Sequence, residues 1–412
     1  MRADKANVTG AKAVALSFVL PVTIAVAFGS VAGAQISGNT VKIGFITDMS
    51  GLYADPDGQG GETAIRMAIE DFGGSVNGKK IELLTADHLN KPDIAATKAR
   101  EWFDQQGLDV LIGGTNSSAG LAMAKLAAEK KKLFIAVGSG SARLTNEDCS
   151  AYTIHYAYDT VALARGTGTA VVNQGGKSWY FMTTDYAFGT SLESETSNVV
   201  TAAGGSIVGS VKHPLGASDF SSFLIQAQAS RAQVLGFASA GSDAVNAVRS
   251  ANEFGLNKSM KLAGLIFTIN DIHALTLAVA AGMYLTDHWY WDLNPETRQW
   301  AKRYFERMKK MPSSFQAADY SAVTQYLSAV KATGSENPEK VLDYLKRSKL
   351  NDMYVKGGMV RPDGRMVNKL YLMQVKTPAE SKYPWDYYKL LETIPGEQAY
   401  RSKAETKCSL WK

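Results

Sequence analysis

The sequence predicts an α/β protein of two doubly wound parallel-sheet lobes, joined by a hinge that the chain crosses more than once. Three observations predict this fold class. Short apolar runs of strand length alternate with helical segments of about 10–15 residues. The alternation starts again after residue 158. The chain of 412 residues is also too long for one small core, so two domains are expected.

The N-terminus differs from the rest of the chain. Three basic residues precede an apolar run over residues 13–33, which ends in Ala-Gly-Ala at 32–34. This pattern is typical of a secretory signal that is cleaved near Ala34. The run is long enough to compete as a membrane anchor, but Pro21 in its middle and the small residues at its end favour cleavage. We therefore expect residues 1–34 to be a signal peptide and the mature chain to be soluble.

Charge and cysteine content narrow the class of protein. The formal net charge is +5, and loss of residues 1–34 would leave +3. A charge this small, spread along the chain, indicates no nucleic-acid partner. The two cysteines, Cys149 and Cys408, are a candidate disulfide in an exported protein, and two unpaired thiols are the alternative.

The first lobe is predicted to begin with residues 41–158. Val41–Thr47 alternates apolar and polar residues and then becomes continuously apolar, as a strand entering a parallel sheet does. Pro92 suits the first turn of a helix. The predicted strands are 41–47, 80–85, 110–112 and 132–137, and the predicted helices are 62–72, 92–105 and 118–131.

The second lobe is predicted over residues 159–283 by the same rhythm, without a literal sequence repeat. Asp219 is expected to cap one of its helices. The predicted strands are 178–184, 206–212, 233–238 and 261–267, and the predicted helices are 159–173, 190–202, 220–229 and one beginning near 240.

The C-terminal third changes character. An extended aromatic segment over 284–291 is followed by helices predicted at about 295–308, 317–332 and 338–347. Two strands are expected within 353–376, around the turn Arg361-Pro-Asp-Gly364. We assign residues 284–350 to the first lobe, residues 353–376 to the second, and residues 377–412 to a C-terminal tail with little pattern. These returns between lobes are what predict the hinge.

Catalytic and metal sites have little support. The five histidines show no His-x-x-x-His spacing, and the cysteines no Cys-x-x-Cys spacing, so neither metal nor cofactor is expected. Ser139 lies in Gly138-Ser-Gly-Ser141, which is similar to a nucleophile elbow but lacks the closing glycine. The glycines at 58–61 lack the spacing of a dinucleotide loop. No catalytic residue is predicted, and an enzyme is not expected.

The loops after the predicted strands share a composition that suits binding. They contain mostly hydroxyl side chains, glycines, amides and aromatic rings, and they are 48–53, 115–118, 138–141, 184–188, 239–243 and 267–270. In the turn 109–120, two glycines precede a helix start that Asn116, Ser117 or Ser118 can cap, and free N–H groups there suit a carboxylate. Turn chemistry alone explains any one loop, but six in two sheets favour a small-molecule site.

Several motifs resemble one family. They are Lys42-Ile-Gly-Phe-Ile-Thr-Asp-Met-Ser-Gly51, Ile112-Gly-Gly-Thr-Asn-Ser-Ser118, Val137-Gly-Ser-Gly-Ser-Ala-Arg-Leu-Thr145, Thr184-Asp-Tyr-Ala-Phe-Gly189 and Asp219-Phe-Ser-Ser222. They are similar to the periplasmic leucine/isoleucine/valine-binding proteins, the type I solute-binding subunits of ABC importers. The segments 155–160 and 385–388 resemble a subgroup that includes binders of aromatic carboxylates. The resemblance covers nearly the whole mature chain.

The resemblance implies two lobes that close on a ligand without catalysis. It implies that serines and backbone groups at two turns hold the ligand carboxylate, and that aromatic rings cover its apolar body. Taken together, the strand-end loops and the resemblance give the expected ligand-binding residues, which are Tyr53, Asn116, Ser117, Ser139, Ser141, Asp185, Tyr186, Phe188, Gly241 and Phe267.

The resemblance leaves the ligand open between two classes. Family members that bind amino acids hold the ammonium with an acidic residue in the loop that matches 265–268, and here that loop is Leu-Ile-Phe-Thr. Asp185, Asp243 or Asp271 could substitute. The two ligand classes left open are a branched-chain or hydrophobic amino acid and a carboxylate without an amine, such as an aromatic acid.

The remaining expectations also follow from the resemblance. They are a periplasmic protein, monomeric, with a small carboxylate and an inner-membrane ABC permease as partners. A ligand-sensing receptor module of the same fold is the alternative function.

Overall fold

Residues 38–412 are described by a computed structural model. The predicted signal peptide and its cleavage site lie outside the described residues. Within residues 38–412, no helix has the length and apolar character needed to cross a membrane. Two separate parallel sheets occupy the described chain, as the sequence predicts, and smaller antiparallel sheets follow them.

The first sheet has six strands in the order β2-β3-β1-β4-β5-β6, parallel except between β2 and β3. The second half of β1 is buried on both faces, which explains its continuous apolar run. The strands are β1 (Thr40–Thr47), β2 (Ser75–Val76), β3 (Lys79–Asp87), β4 (Val110–Gly113), β5 (Leu133–Ala136) and β6 (Thr153–His155).

Helices cover both faces of this sheet. They are α1 (Gly58–Asp71), α2 (Pro92–Gln105) and α3 (Ser117–Lys130). Helices α2 and α3 pack on one face and α1 packs on the other. Gly44 of β1 lets α2 approach closely, because a Cβ there would lie 2.8 Å from the Trp102 ring. Asn116 caps α3 by accepting from the N–H groups of Ser118 and Ala119.

Helix α1 begins at Gly58, four residues before the predicted start. The glycines taken for loop residues form its first turn. They are needed there because a Cβ at Gly60 would collide with the Tyr304 hydroxyl and the Gln316 amide. The sequence pattern could not show this, since both neighbours come from the C-terminal third of the chain.

The second sheet has four parallel strands in the order β10-β9-β7-β8. They are β7 (Ser178–Thr184), β8 (Ser206–His213), β9 (Val234–Ala238) and β10 (Lys261–Gly264). A continuous helical segment enters the sheet as α4 (Thr160–Leu163), a π turn (Ala164–Gly168) and α5 (Thr169–Asn173). The other helices of this part are α6 (Ala187–Ala202), α7 (Ser221–Ala229), α8 (Gly241–Glu253), α9 (Ile269–Leu275) and α10 (Leu277–Ala280).

The C-terminal third contains the three predicted helices and two small antiparallel sheets. Helices α11 (Pro295–Met308), α12 (Ser314–Thr333) and α13 (Pro338–Arg347) follow strand β11 (Tyr284–Asp287). Helix α12 begins about three residues earlier than predicted because Ser313 and Gln316 form a capping box. Helix α12 packs against α1, on the first sheet. The remaining elements are β12 (Leu350–Asn351), β13 (Lys356–Val360), β14 (Met366–Val367), β15 (Leu370–Val375), β16 (Tyr388–Ile394) and α14 (Gly396–Ala399).

The sequence assigns the segment 353–376 to the second lobe, but the strands in this segment lie beside different sheets. Strands β13 and β14 form the expected hairpin, but it lies beside β6, where the His155 N–H donates to the Gly364 carbonyl at 2.9 Å. Strand β15 pairs instead with β11, which packs beside β10 of the second sheet. Residues 353–376 therefore contact both parts of the molecule, and so do residues 284–350. The lobe boundaries stay a prediction.

The C-terminal tail is more ordered than its sequence pattern indicates. Strand β16 pairs with β15, and it escapes the pattern because it is an edge strand whose side chains after Tyr388 are mostly exposed. The expected disulfide between Cys149 and Cys408 is formed, with a Cα–Cα separation of 5.8 Å. It ties the end of the chain to the region that follows β5.

Candidate ligand-binding cavity

A small cavity lies where the loops after the strands of both sheets meet. Parallel sheets bind ligands at the carboxyl ends of their strands, and these loops occupy those ends. The lining is mainly aromatic and small, and it consists of Tyr53, Pro56, Thr115, Gly138, Tyr158, Tyr186, Phe188, Ala240, Gly241, Ile266, Thr268, Asp271 and Phe315. An adjoining pocket shares four of these residues and extends towards Phe267, Asp287 and His288.

Aromatic rings form the walls of the cavity. The Tyr158 ring stacks on Phe315 with centroids 5.1 Å apart and meets Phe188 edge to face at 6.5 Å. Tyr186 lies beside Phe188 at 6.1 Å. These rings come from the β6–α4 connection, the start of α12, the loop after β7 and the first turn of α6. Such walls suit the apolar body of a small ligand, and an aromatic ring in particular.

Direct contacts join the two sides of the cavity. The hydroxyls of Tyr53 and Tyr186 are hydrogen-bonded at 2.6 Å, and those of Ser141 and Ser191 at 2.8 Å. The Ser242 N–H donates to the Leu52 carbonyl at 3.2 Å. Gly241 makes this approach possible, since its φ is +59° and a Cβ there would collide with the same carbonyl. The loops of the two sheets are therefore closed against each other.

The two predicted carboxylate turns lie side by side. The Ser117 hydroxyl oxygen accepts from the backbone N–H groups of Gly140 and Ser141, each at 3.1 Å. Asn116 caps α3 with its side chain, and it is almost fully buried. The two turns thus meet at Ser117, Gly140 and Ser141, whereas the residues of these turns that line the cavity itself are Thr115 and Gly138.

The other predicted residues lie at three kinds of position: in the cavity wall, in the interior of the protein and on the surface. Tyr53, Tyr186, Phe188 and Gly241 line the cavity, and Phe267 lines the adjoining pocket. The Ser139 hydroxyl turns inward and donates to the carbonyl oxygens of Gly114 and Asn116. Asp185 is exposed and pairs with Lys212 at 3.0 Å, so the structure does not bring its side chain to the cavity.

A model of one protein family, described as periplasmic binding protein, matches residues 40–382. The chain belongs to the periplasmic binding protein family. It is similar to a solved periplasmic binding protein from Burkholderia mallei, with 62% identity, a TM-score of 0.90, and coverage of 91% of this chain and 100% of that one. A branched-chain amino acid ABC transporter periplasmic ligand-binding protein from Burkholderia xenovorans shows 39% identity, a TM-score of 0.80, and coverage of 90% and 100%.

A curated relative is more distant. The Leu/Ile/Val-binding protein homolog 6 of Brucella melitensis is 23% identical over 238 residues, which are 57% of this chain and 60% of that protein. The chain thus matches less than two thirds of this relative. The family consists of solute-binding proteins of transporters rather than enzymes, and the fold of this periplasmic binding protein agrees with the sequence prediction.

Several cavity residues of this periplasmic binding protein escaped the sequence analysis. Tyr158 lies in the quoted segment 155–160, but nothing in the pattern showed that its ring would form a wall. Phe315 comes from a helix start more than 150 residues away in sequence from Tyr158. Thr115 and Thr268 lie in the strand-end loops 115–118 and 267–270, and only the folded structure distinguishes them from their neighbours.

Asp271 is the acidic residue of the cavity lining. Its Oδ2 accepts from the N–H of Thr268 at 2.7 Å and from the Thr268 hydroxyl at 2.8 Å, in the capping box of α9. Burial raises the pKa of Asp271 to about 6. Asp243, another of the three aspartates that the sequence left open, accepts from the Gly216 N–H instead and is not part of the lining.

The adjoining pocket carries two further titratable groups. Burial raises the pKa of Asp287 to about 7 and lowers the pKa of His288 to about 3, so His288 is neutral at pH 7. The Tyr354 hydroxyl and His288 Nδ1 are hydrogen-bonded at 2.8 Å. Within residues 38–412, no group of three His, Cys, Asp or Glu side chains is arranged to hold a metal ion.

Proposed function

We propose that this protein captures a small carboxylate with an apolar or aromatic body and delivers it to an ABC permease. One observation carries the proposal: an aromatic cavity lies at the carboxyl ends of two parallel sheets, beside a corner of converging backbone and hydroxyl donors. The proposed site thus has one end for the apolar body of the ligand and one end for its carboxylate.

The carboxylate is proposed to bind at the corner of Ser117, Gly140 and Ser141. In the closed structure the two N–H groups donate to the Ser117 oxygen, and a ligand carboxylate can take over this acceptor role. Ser117 and Ser141 would then donate their hydroxyl protons to the ligand. Ser139 has a supporting role, since its hydroxyl holds the Gly114 turn.

The apolar body of the ligand is proposed to lie between Tyr53, Tyr186 and Phe188 on one side and Tyr158 and Phe315 on the other. Burial of an aromatic ring there would contribute to the free energy of binding in two ways, through the apolar area removed from water and through ring–ring contacts. Branched-chain or other hydrophobic amino acids and aromatic acids both fit this description. The relative from Burkholderia xenovorans supports the first class, and the aromatic walls support the second.

Asp271 would distinguish the two ligand classes. An ammonium group would pair with its carboxylate, which a pKa of about 6 leaves mostly ionised at pH 7. An aromatic acid without an amine would instead offer a ring hydroxyl to Asp271.

Closure of the two lobes by hinge bending is proposed to form the state that the permease recognises. The three contacts across the cavity would stabilise this state. Export by the N-terminal signal, a periplasmic location and a monomeric protein complete the proposal, supported by the family to which the chain belongs.

Thermal unfolding in the presence of ligands tests the proposal. A ligand at about 100 times its Kd stabilises the folded protein by about 2.7 kcal/mol, which raises the melting temperature measurably. The panel should contain leucine, isoleucine, valine, benzoate and hydroxybenzoates. We expect a rise in the melting temperature with at least one of them. The absence of any rise across branched-chain amino acids and aromatic acids would refute the proposed ligand class.

A further inference from the structure

A pair of buried carboxyl groups lies behind the cavity and has no basic partner. Asp57, which precedes α1, and Asp319, in the middle of α12, are both fully buried. Oδ1 of Asp57 and Oδ2 of Asp319 both point at the space beside Gly61, where a Cβ would collide with them. Neither of these oxygens, nor Oδ1 of Asp319, has a donor among the described residues.

Two carboxyl groups cannot both be ionised at a fully buried site, because the repulsion between their charges adds to the free-energy cost of burying each charge. Burial raises the pKa of both groups, and the charge of Asp57 raises that of Asp319 further. The other titratable groups that face this region are Asp48, Asp55, Tyr158 and Tyr304, and none of them is a cation. A single proton between the two carboxyl groups is therefore what relieves the repulsion of their charges.

The position of this proton follows from the hydrogen bonds. Oδ2 of Asp57 accepts from the Thr47 hydroxyl at 2.5 Å, so Asp57 is the better stabilised anion. Asp319 has no comparable donor. It therefore holds the proton and donates it to Oδ1 of Asp57.

A short chain of hydroxyls connects this pair to the cavity. The oxygens of Thr47 and Thr115 are 2.8 Å apart, and Thr115 lines the cavity. Because Thr47 donates its only proton to Asp57, the Thr115 hydroxyl must be the donor to Thr47. The Thr115 oxygen also accepts from the Asp48 N–H at 3.2 Å. The proton of Thr115 is thus fully engaged within the protein.

We infer that Asp57 and Asp319 share one proton and thereby fix the direction of the Thr47–Thr115 hydroxyl chain. The consequence is that Thr115 presents an acceptor, and no donor, to the ligand. This inference rests on the proposed function and narrows it. The ligand carboxylate is bound by Ser117, Gly140 and Ser141 and receives no hydrogen bond from Thr115, and the part of the ligand that contacts Thr115 carries a hydrogen-bond donor, an amine or a hydroxyl.

A matched pair of isosteric variants tests the direction of the chain. In Asp57→Asn, the amide oxygen accepts the Asp319 proton and the amide N–H₂ donates to Thr47, so Thr47 donates to Thr115 and the chain reverses. Thr115 then has a proton for the ligand. In Asp319→Asn, the new amide donates to Asp57 as the carboxylic acid did, and the direction is kept. Both variants remove one carboxyl group from the same pair.

The readout is the preference between ligands that differ by one donor. Calorimetry gives the Kd ratio for 4-hydroxybenzoate against benzoate, and for leucine against 4-methylpentanoate. We expect Asp57→Asn to shift one of these ratios by about tenfold towards the ligand without the donor, and Asp319→Asn to keep the wild-type ratio. Equal shifts in both variants, or no shift in either, would overturn the inference. If Asp57→Asn does not fold, Thr47→Val frees the same Thr115 proton and should produce the same shift.

Infrared spectroscopy of the ligand-free protein separates this inference from the proposed function. A protonated Asp319 should give the C=O band of a buried carboxylic acid at about pH 8, where ordinary carboxyl groups are ionised. The band should persist in Asp57→Asn and disappear in Asp319→Asn. A wild-type spectrum without the band would contradict the shared proton. Failure of all four ligands to bind would refute the proposed function, and the band would still decide the protonation of the pair.

Discussion

The hydroxyl groups of Tyr53 and Tyr186 lie 2.6 Å apart and form a hydrogen bond between the loop after β1 and the loop after β7. Tyr53 is almost completely buried, and burial raises its pKa well above the usual range, so it stays neutral. The bond joins the two sides of the cavity. It therefore belongs to the closed arrangement in which a ligand would be held.

The first prediction concerns this bond. Tyr53→Phe and Tyr186→Phe should each weaken ligand binding by about fivefold, because each variant loses the hydrogen bond and with it about 1 kcal/mol of the stabilisation of the closed state. The double variant should be little weaker than either single one, since all three lack the same bond. A double-mutant cycle of calorimetric Kd values measures this coupling. Additive losses would show that the two hydroxyls act separately.

The second prediction concerns the backbone contact at Gly241. Gly241→Ala places a Cβ against the Leu52 carbonyl and should weaken ligand binding about tenfold or more by opposing closure. Gly255→Ala is the matched control, because Gly255 has a similar φ of +72° and open space around its Cα. Both variants should lose about 1 kcal/mol of folding stability from the left-handed backbone. Equal Kd values for the two variants would contradict a role of Gly241 in closure.

The sequence predicted the two sheets because each buried parallel strand is a continuous apolar run with its own helix. It also predicted which loops meet, since the carboxyl ends of parallel strands share one edge. It could not predict where individual side chains point within those loops. Ser139 and Ser141 are two residues apart, yet one hydroxyl turns to the Gly114 carbonyl and the other to Ser191.

The aromatic wall shows a second limit. Tyr158 and Phe315 are stacked at 5.1 Å, although they are far apart in sequence and belong to no common pattern. Only the packing of α12 against the first sheet brings them together. Asp185, in turn, is adjacent in sequence to Tyr186, but it lies on the surface because successive residues at the start of α6 point in different directions.

The third prediction uses pH to identify the ligand class. The pKa of Asp271 is raised to about 6, so the carboxylate becomes protonated as the pH falls from 7 to 5. An amino-acid ligand needs the ionised form and should bind more weakly, by up to about tenfold per pH unit below 6. A carboxylate without an amine should bind as well or better at pH 5. Calorimetric titrations at both pH values measure the trend, and Asp271→Asn should abolish it. A trend that persists in this variant would exclude Asp271 as its source.

The fourth prediction concerns the disulfide. Replacement of Cys149 and Cys408 by serine should lower the free energy of unfolding by roughly 2–5 kcal/mol, because the bridge closes a loop of 259 residues in the unfolded chain. Urea unfolding of the oxidised wild type and of the double variant measures the difference. Reduced wild type is the control and should behave as the variant does. Identical midpoints for oxidised and reduced wild type would show that the bridge does not stabilise the fold.

Calorimetric titration of the mature protein tests the central claim most directly. The ligands are leucine, 4-methylpentanoate, benzoate and 4-hydroxybenzoate, and the variants are Phe188→Ala in the cavity wall and Asp185→Asn on the surface. We predict one ligand per chain for at least one compound, about tenfold or greater weakening in Phe188→Ala, and no change in Asp185→Asn. Binding of none of the four compounds, or wild-type affinity in Phe188→Ala, would contradict capture of a small carboxylate in this cavity.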